Sequence, residues 1–332
     1  MTEIYLIRHA EAEGNLYRTA QGQFESILTD RGWRQVRALE ERFRGTIIDA
    51  VYTSDLYRCC ATASAIYLPR HLKPQCREDL REISLGVWEQ QTWGDIARED
   101  PEQLENFRHH MELWKVEGGE APAHVQERVL KALEEIAWEN PDSAVAVCSH
   151  GAAIRLVLAK LQGYSLEELG KTPHGDNTAV SLLRWDGEKL EVVYRDDNSH
   201  LQTPRYLKTE KLSKRATALE GGVRFVEEAG QIYPSFTAFW GEQEVGLVQL
   251  GKEPGEIRQL RIYPDFRRKG YGVQLIGQAV RYWRPLGAET LFLTLPEDCS
   301  AKSFLEDYGF VPKEEGRWEK DIRFDPRYLA CR

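Results

Sequence analysis

Four short apolar segments constrain this chain more than anything else in it: "EIYLIRHA", "AVYTS", "SAVAVCSHG" and "TAVSLLRWD". Each has the length of a strand and is rich in β-branched or aliphatic residues. They alternate with "DRGWRQVRALEERFRG", "DLYRCCATASAIYL" and "APAHVQERVLKALEEIAWENP". In those stretches the apolar residues recur at three-to-four spacing, the period of an amphipathic helix. Strands that alternate with helices pair mostly in parallel, because a parallel connection needs a helix-length crossover. Residues 1–203 are therefore expected to form an α/β domain: a mostly parallel sheet with helices on both faces.

The pattern changes after residue 222. "GVRFVEEA", "SFTAFWGEQEVGLVQL" and "GEIRQLRIYP" read as antiparallel strands, with "GEQE" as a hairpin turn. A helix "GYGVQLIGQAVRYWRPLG", a strand "TLFLTL", a helix "SAKSFLEDYG" and a closing strand near "RWEKDIRF" follow. Residues 222–332 are expected to be a second, α+β domain with a mainly antiparallel sheet. The polar stretch "RDDNSHLQTPRYLKTEKLSKRATALEGG" contains the boundary, placed as a linker over 204–221. A length of 332 residues suits two cores better than one.

Polar residues gather where the strands of the first domain end. "EIYLIRHAEAEGN" puts Arg8 and His9 at a strand terminus, and "SAVAVCSHG" ends in His150 and Gly151. "SDLYRCCATA" puts Arg58 near the start of a helix after a strand, and "LREISLGVWE" puts Glu82 in a loop. In an open α/β sheet, ligands bind outside the carboxyl ends of the strands. If the sheet is parallel, two arginines, two histidines and one carboxylic acid meet there. That set suits phosphoryl transfer to an imidazole. Neutral His9 attacks phosphorus, and Arg8, Arg58 and a protonated His150 neutralise the equatorial oxygens. Asn15 donates a further hydrogen bond, and the amide of Gly151 at a helix start is an anion ligand. Glu82, held protonated, serves the leaving alkoxide and then activates water. No metal is needed, since the arginines supply the charge.

"RHAEAEGN", "SDLYRCCATA", "LREISLGVWEQQTW" and "SHGAAIR", in that order, resemble the histidine phosphatase superfamily, which includes phosphoglycerate mutase-like proteins. The resemblance implies that His9 is the nucleophile and that Arg8, Asn15, Arg58, Glu82 and His150 line its pocket. It also implies that Gln21 lies on the substrate side. Ala10 and Gln90 stand where the family usually has glycine. The compact segment between Glu82 and His150 resembles phosphatase-type members, so hydrolysis of a small phosphomonoester is expected. A phosphoglycerate-type mutase is the alternative.

In the second domain, "QLRIYPDFRRKGYGVQLIG" runs from a strand through a glycine loop into a helix. Glycines let the backbone approach a ligand, and successive amides at a helix start cradle pyrophosphate. Arg267, Arg268 and Lys269 add positive charge. With "SAKSFLEDYGFV" further on, the segment resembles the GNAT acetyltransferase superfamily. The resemblance implies that the strand backbone at Leu260, Arg261 and Ile262 holds the pantetheine arm and thioester of acetyl-CoA. It implies too that Arg267, Arg268, Lys269, Gly270, Tyr271 and Gly272 grip the pyrophosphate, and that an unknown amine receives the acetyl group. Leu305 occupies the position where many members carry a catalytic tyrosine, and Tyr308 lies one turn along. The segment ahead of the hairpin is too short for the usual substrate-covering helices. A CoA-binding module that regulates the phosphatase without catalysis is therefore the second alternative.

The bulk numbers narrow the setting. A net charge of −9 argues against a nucleic-acid partner. No apolar run reaches the roughly 18 residues of a membrane helix, and the first apolar stretch is too short for a signal peptide. Six cysteines, with Cys59 and Cys60 adjacent, show no zinc spacing and no disulfide framework. The cytoplasm is the expected compartment.

Overall fold

A computed structural model describes residues 1–202, 222–297 and 299–329. In the first domain β1 (Thr2–Arg8), β2 (Ala50–Ser54), β3 (Gln75–Arg77), β4 (Ala144–Ser149), β5 (Val180–Trp185) and β6 (Leu190–Asp197) form one sheet. Its order is β3-β2-β4-β1-β5-β6. The pairs β1/β4, β2/β4 and β2/β3 are parallel, and β5 and β6 extend the sheet antiparallel. Strand alternation divides the side chains between two cores. Ile4, Leu6, Val145 and Val147 face one cluster, which holds Leu133 of α6 (Pro122–Glu139) and Leu156 of α7 (Gly151–Leu161). Ile7, Ala146 and Cys148 face the other, with Leu39 of α2 (Asp30–Phe43) and Ile66 of α3 (Tyr57–Arg70). The sheet is thus covered on both sides, as the alternation of segments requires.

Five elements of this domain have no sequence expectation: β3, β6, α1 (Glu13–Tyr17), α4 (Trp93–Glu99) and α5 (Pro101–His109). The polar boundary stretch is also more ordered at its start than its composition implies. Arg195–Asp197 belong to β6, and Ser199–Gln202 form a 3-10 turn with His200 and Leu201 buried. His200 is anchored there by Thr178 Oγ1 at 3.0 Å and by Arg42 Nη1 at 3.3 Å. The expected linker, 204–221, lies outside the described residues. Cys76 takes part in a disulfide, which the cysteine spacing does not reveal, whereas Cys59, Cys60, Cys148 and Cys299 are not in disulfides.

The second domain contains two antiparallel sheets. β7 (Arg224–Glu227), β8 (Ser235–Trp240), β9 (Gln243–Leu250) and β10 (Ile257–Ile262) run in the order β10-β9-β8-β7. Gln243 and Glu244, expected in the hairpin turn, already belong to β9. α8 (Tyr271–Trp283) packs on this sheet, followed by β11 (Thr290–Thr294), α9 (Lys302–Asp307), β12 (Val311–Pro312) and β13 (Arg317–Asp321). The last three strands order as β11-β13-β12. The two sheets join at one parallel bridge, Glu256 to Phe292, with Phe292 N–H donating to Gly255 O at 2.9 Å. Beyond it no ladder pairs β10 with β11 among the described residues, so β10 ends as an edge strand. No helix stands between β7 and β8, and none of the described helices is long and apolar enough to cross a membrane.

The two domains are packed against each other. Leu16 and Tyr17 of α1 belong to the core of the second domain. Arg284 donates through both Nη atoms to Glu13, at 2.8 Å each. Asp95 Oδ1 accepts from Phe225 N–H at 3.0 Å, and Thr92 Oγ1 donates to Val223 O. At the far end, Phe324 and Tyr328 pack on Tyr57, with ring centroids 5.2 and 6.3 Å away.

Candidate active site

The strand register brings the first set of residues together. Arg8, the last residue of β1, lies beside Ser149, the last of β4, so His9 and His150 leave neighbouring strands side by side. Their ring centroids are 5.3 Å apart. β2 ends next to them at Ser54, whose Oγ is 2.8 Å from His150 Nε2. Arg58 follows in the first turn of α3. All five groups stand at the carboxyl edge of the parallel strands.

His9 is buried, and its Nδ1 lies 2.7 Å from Ala10 O. A carbonyl oxygen only accepts, so Nδ1 carries the proton and Nε2 keeps its lone pair. Burial, then the charges of Arg58 and Arg8, hold the ring well below its ordinary pKa. His9 is therefore a neutral imidazole with a free nitrogen. Asn177 Nδ2 donates to His9 O at 2.9 Å, and Ala10 N–H donates to Thr62 Oγ1 at 2.8 Å, which fixes the backbone around the ring.

The two guanidinium groups are held by carbonyls rather than by carboxylates. Arg58 donates to Phe24 O at 2.9 Å and to Gly22 O at 2.7 Å, and Arg8 donates to Gly175 O. Neutral acceptors position a cation without cancelling its charge. The Nε–H of both arginines is buried without a partner among the described residues. Buried donors of that kind are uncommon in a folded protein, and an anion satisfies them.

Glu82 sits at the N-terminus of α7. Its Oε2 accepts from Ala152 N–H at 3.1 Å, and its Oε1 accepts from Ala153 N–H at 2.9 Å and Ile83 N–H at 3.1 Å. These amides are spent on Glu82, so the amide for an external anion is that of Gly151, the first residue of the helix. A Cβ on Gly151 would lie 3.1 Å from Arg8 Nε, so glycine lets the guanidinium lie close over the helix start. Asn15 Oδ1 accepts from Ala12 N–H at 3.0 Å, leaving its amide hydrogens to donate. Gln21 Oε1 accepts from Ser26 Oγ at 2.6 Å.

One expectation needs correction. His150 is fully buried, and burial followed by the charges of Arg58, Arg128 and Arg8 pushes it well below its ordinary pKa. It is a neutral ring among these guanidiniums, not the imidazolium expected from sequence. The residues that sequence reasoning missed are Ser54, Thr62 and Asn177, which orient the histidines. Ser54 and Thr62 lie at a strand end and one helical turn past Arg58, which was the available signal; Asn177 follows no strand and had none.

In the second domain, Arg267, Arg268, Lys269 and Gly270 are exposed around the start of α8. Arg268 has φ 58° and Gly270 φ 83°, left-handed turns that swing successive backbone groups to one side. Arg267 Nε donates to Ile262 O at 3.2 Å, tying the loop to β10. Gly272 lies against Phe304, whose ring carbon would be 2.9 Å from an added Cβ. Tyr271 is buried against Trp240 and Phe266, so only its backbone faces the loop. The exposed cations, the amides at the helix start and the free edge of β10 fit a pyrophosphate-bearing cofactor. Leu305 is a core residue, 1% exposed. Tyr308 stacks edge-on with Phe304 and faces Asp30 and Arg31 of the first domain across a small crevice. Among the described residues no cluster of His, Cys, Asp and Glu is arranged to hold a metal ion.

An α/β domain with a histidine pair and arginines at the carboxyl edge of its sheet, joined to an antiparallel domain with a glycine loop, defines a two-part chain. Residues 4–198 match the histidine phosphatase superfamily (branch 1), and the chain belongs to that family. Residues 210–328 match the acetyltransferase (GNAT) domain. Phosphoserine phosphatase 1 of Hydrogenobacter thermophilus is 26% identical, covering 60% of this chain and 95% of its own length. The metal-independent phosphoserine phosphatase of Arabidopsis thaliana is 30% identical over 62% of this chain and 86% of its own. A probable phosphoglycerate mutase, GpmB, of Yersinia enterocolitica is 31% identical over 61% of this chain and 97% of its own. Among solved structures, Bacillus stearothermophilus YhfR superposes with a TM-score of 0.59 at 31% identity, covering 60% of this chain and 99% of its own.

Proposed function

We propose that the first domain hydrolyses a small phosphomonoester through a phosphohistidine on His9. The observation that carries this reading is the Nδ1–H of His9 held on Ala10 O, which leaves Nε2 free beside two arginines with unspent N–H groups. Nε2 attacks phosphorus, the P–N bond forms and the ester P–O bond breaks. The leaving alkoxide takes its proton from Glu82. Water then attacks the phosphohistidine, giving its proton to Glu82, and inorganic phosphate leaves as the P–N bond breaks. Arg8, Arg58, Asn15 and the amide of Gly151 hold the transferring oxygens throughout. His150 completes the pocket beside His9, its Nε2 paired with Ser54 Oγ. The relatives named as phosphoserine phosphatases make phosphoserine the first substrate to try, and Gln21 supports the substrate beyond the phosphate.

The second domain would bind acetyl-CoA at the glycine loop and acetylate an amine, the C–N bond forming as the C–S bond breaks and CoA leaving as the thiol with the proton the amine gives up. Bound acetyl-CoA supplies an activated thioester carbonyl. This chain contributes the backbone edge of Leu260, Arg261 and Ile262 alongside it and the cations from Arg267 to Lys269 for the pyrophosphate. The compartment we infer is the cytoplasm.

His9→Ala is expected to abolish phosphate release from phosphoserine or from an aryl phosphate. Acid-labile, base-stable labelling of the intact chain by substrate should disappear with it. Turnover retained by the variant would remove the nucleophile assignment. Isomerised phosphoglycerate without net phosphate release would turn the reading to a mutase.

A further inference from the structure

A cleft between the domains is lined, apart from Gln21, by side chains to which neither proposed reaction assigns a role. α1 and the loop from Thr19 to Ser26 form one wall, and α8 forms the other. Its interior charges cancel, because Glu13 and Arg284 are bonded to each other. What remains is neutral and polar. Gln278 is only 9% exposed, yet its amide has no hydrogen-bond partner among the described residues and borders the cleft. From the opposite wall come Gln90, whose side chain has no partner among the described residues, and Gln21, whose Nε2 has none among them either. Gln90 has φ 71°, a left-handed conformation that strains any residue with a β-carbon. Glycine would relieve that strain, and glutamine stands there instead. Aromatic rings of Tyr17, Phe225 and Phe24 complete the walls, Phe24 being 37% exposed.

We propose that this cleft binds a nucleobase carried by a nucleoside-type metabolite. A carboxamide presents a donor and an acceptor side by side, the complement of a heterocycle edge that alternates the two. Three carboxamides from two domains, set between aromatic faces, describe a flat, uncharged, doubly functional ligand. A phosphate or carboxylate would call for free cations, and the one cation lining this cleft without a partner among the described residues, Arg281, is exposed at its mouth, where a sugar-borne group would reach it. The residues from Arg267 to Gly272 do not border the cleft, so the base site is separate from the cofactor loop.

The test is calorimetric titration of the intact chain with adenosine, guanosine, cytidine and uridine, none of which carries a phosphate for His9. At least one should bind. Gln278→Leu should weaken it about tenfold, the loss of one well-placed hydrogen bond. Gln90→Gly should weaken it too while raising the melting temperature, a combination that a purely structural glutamine would not give. Gly270→Glu should leave nucleoside binding intact. The proposal is overturned if no nucleoside binds up to its solubility limit, or if binding survives both glutamine substitutions. It is also overturned if Gly270→Glu abolishes the heat, which would place the base in the cofactor site. Should Gln278→Leu fail to fold, Gln90→Gly decides alone.

Discussion

Buried histidines couple this protein's stability to pH at the level of single residues. His200 titrates near pH 4, held there mainly by burial and then by Arg42, while an unfolded histidine titrates near pH 6.5. A depressed histidine pKa means that the unfolded chain binds the proton first, so the contribution is whole above about pH 6.5 and lost as pH falls toward 4. Between pH 6.5 and 5 this one ring should cost about 2 kcal/mol. His9 and His150 are depressed in the same direction and add to it. Denaturant unfolding at pH 7 and pH 5 checks this, and a His200→Asn variant should show a shallower loss. Equal stability at both pH values would contradict it. For the same reason phosphatase activity should persist below pH 6.5, since His9 stays neutral there. The convergence of Arg8, His9 and His150 was readable from sequence, because each stands at the end of an apolar run. The protonation of His150 was not, since it depends on how deeply Arg58 and His150 are enclosed together.

At the level of elements, α8 is shared between functions. Its first residues form the loop expected to hold pyrophosphate, and its middle packs on the phosphatase domain. Gly277 is the contact point, because a Cβ there would overlap the ring of Tyr17. Gly277→Ala gains about 1 kcal/mol of helix propensity but overpacks a filled interface at about 1–3 kcal/mol. We expect a net loss of about 1 kcal/mol in denaturant unfolding, and a more stable variant would show that the contact is loose. Gly270→Glu at the other end should abolish the calorimetric signal of CoA, since a side chain at φ 83° is strained and its charge repels pyrophosphate. The sequence periodicity located α8 well, because its apolar stripe is regular. It missed α1, α4 and α5, which are short or follow no apolar run, and it missed β6, whose alternating charged residues resemble a surface loop. The long helices and inner strands are dictated by their own patterns. The short elements are held by partners distant in the chain.

Across the whole molecule, the first domain has cores of its own on both faces of its sheet but also shares a buried interface with the second. Removing the second domain uncovers Leu16, Tyr17 and Tyr57 and leaves Glu13 without Arg284, an unpaired buried charge that costs about 3–5 kcal/mol. The isolated 1–203 fragment is expected to bind a hydrophobic dye and to lose cooperative unfolding. A fragment as stable as the intact chain would show the interface to be incidental. Nothing in the sequence marked this contact, since interface residues carry the same amphipathic signature as core residues. Tyr17 counts by order along the chain with one unit and by its neighbours with the other. A chimera that exchanges either half for that of a single-domain relative must therefore graft Glu13 and Tyr17 along with the foreign piece. Lineages carrying this fusion should inherit substitutions at Tyr17 and Gly277 in step, and heat should unravel both halves in one calorimetric peak.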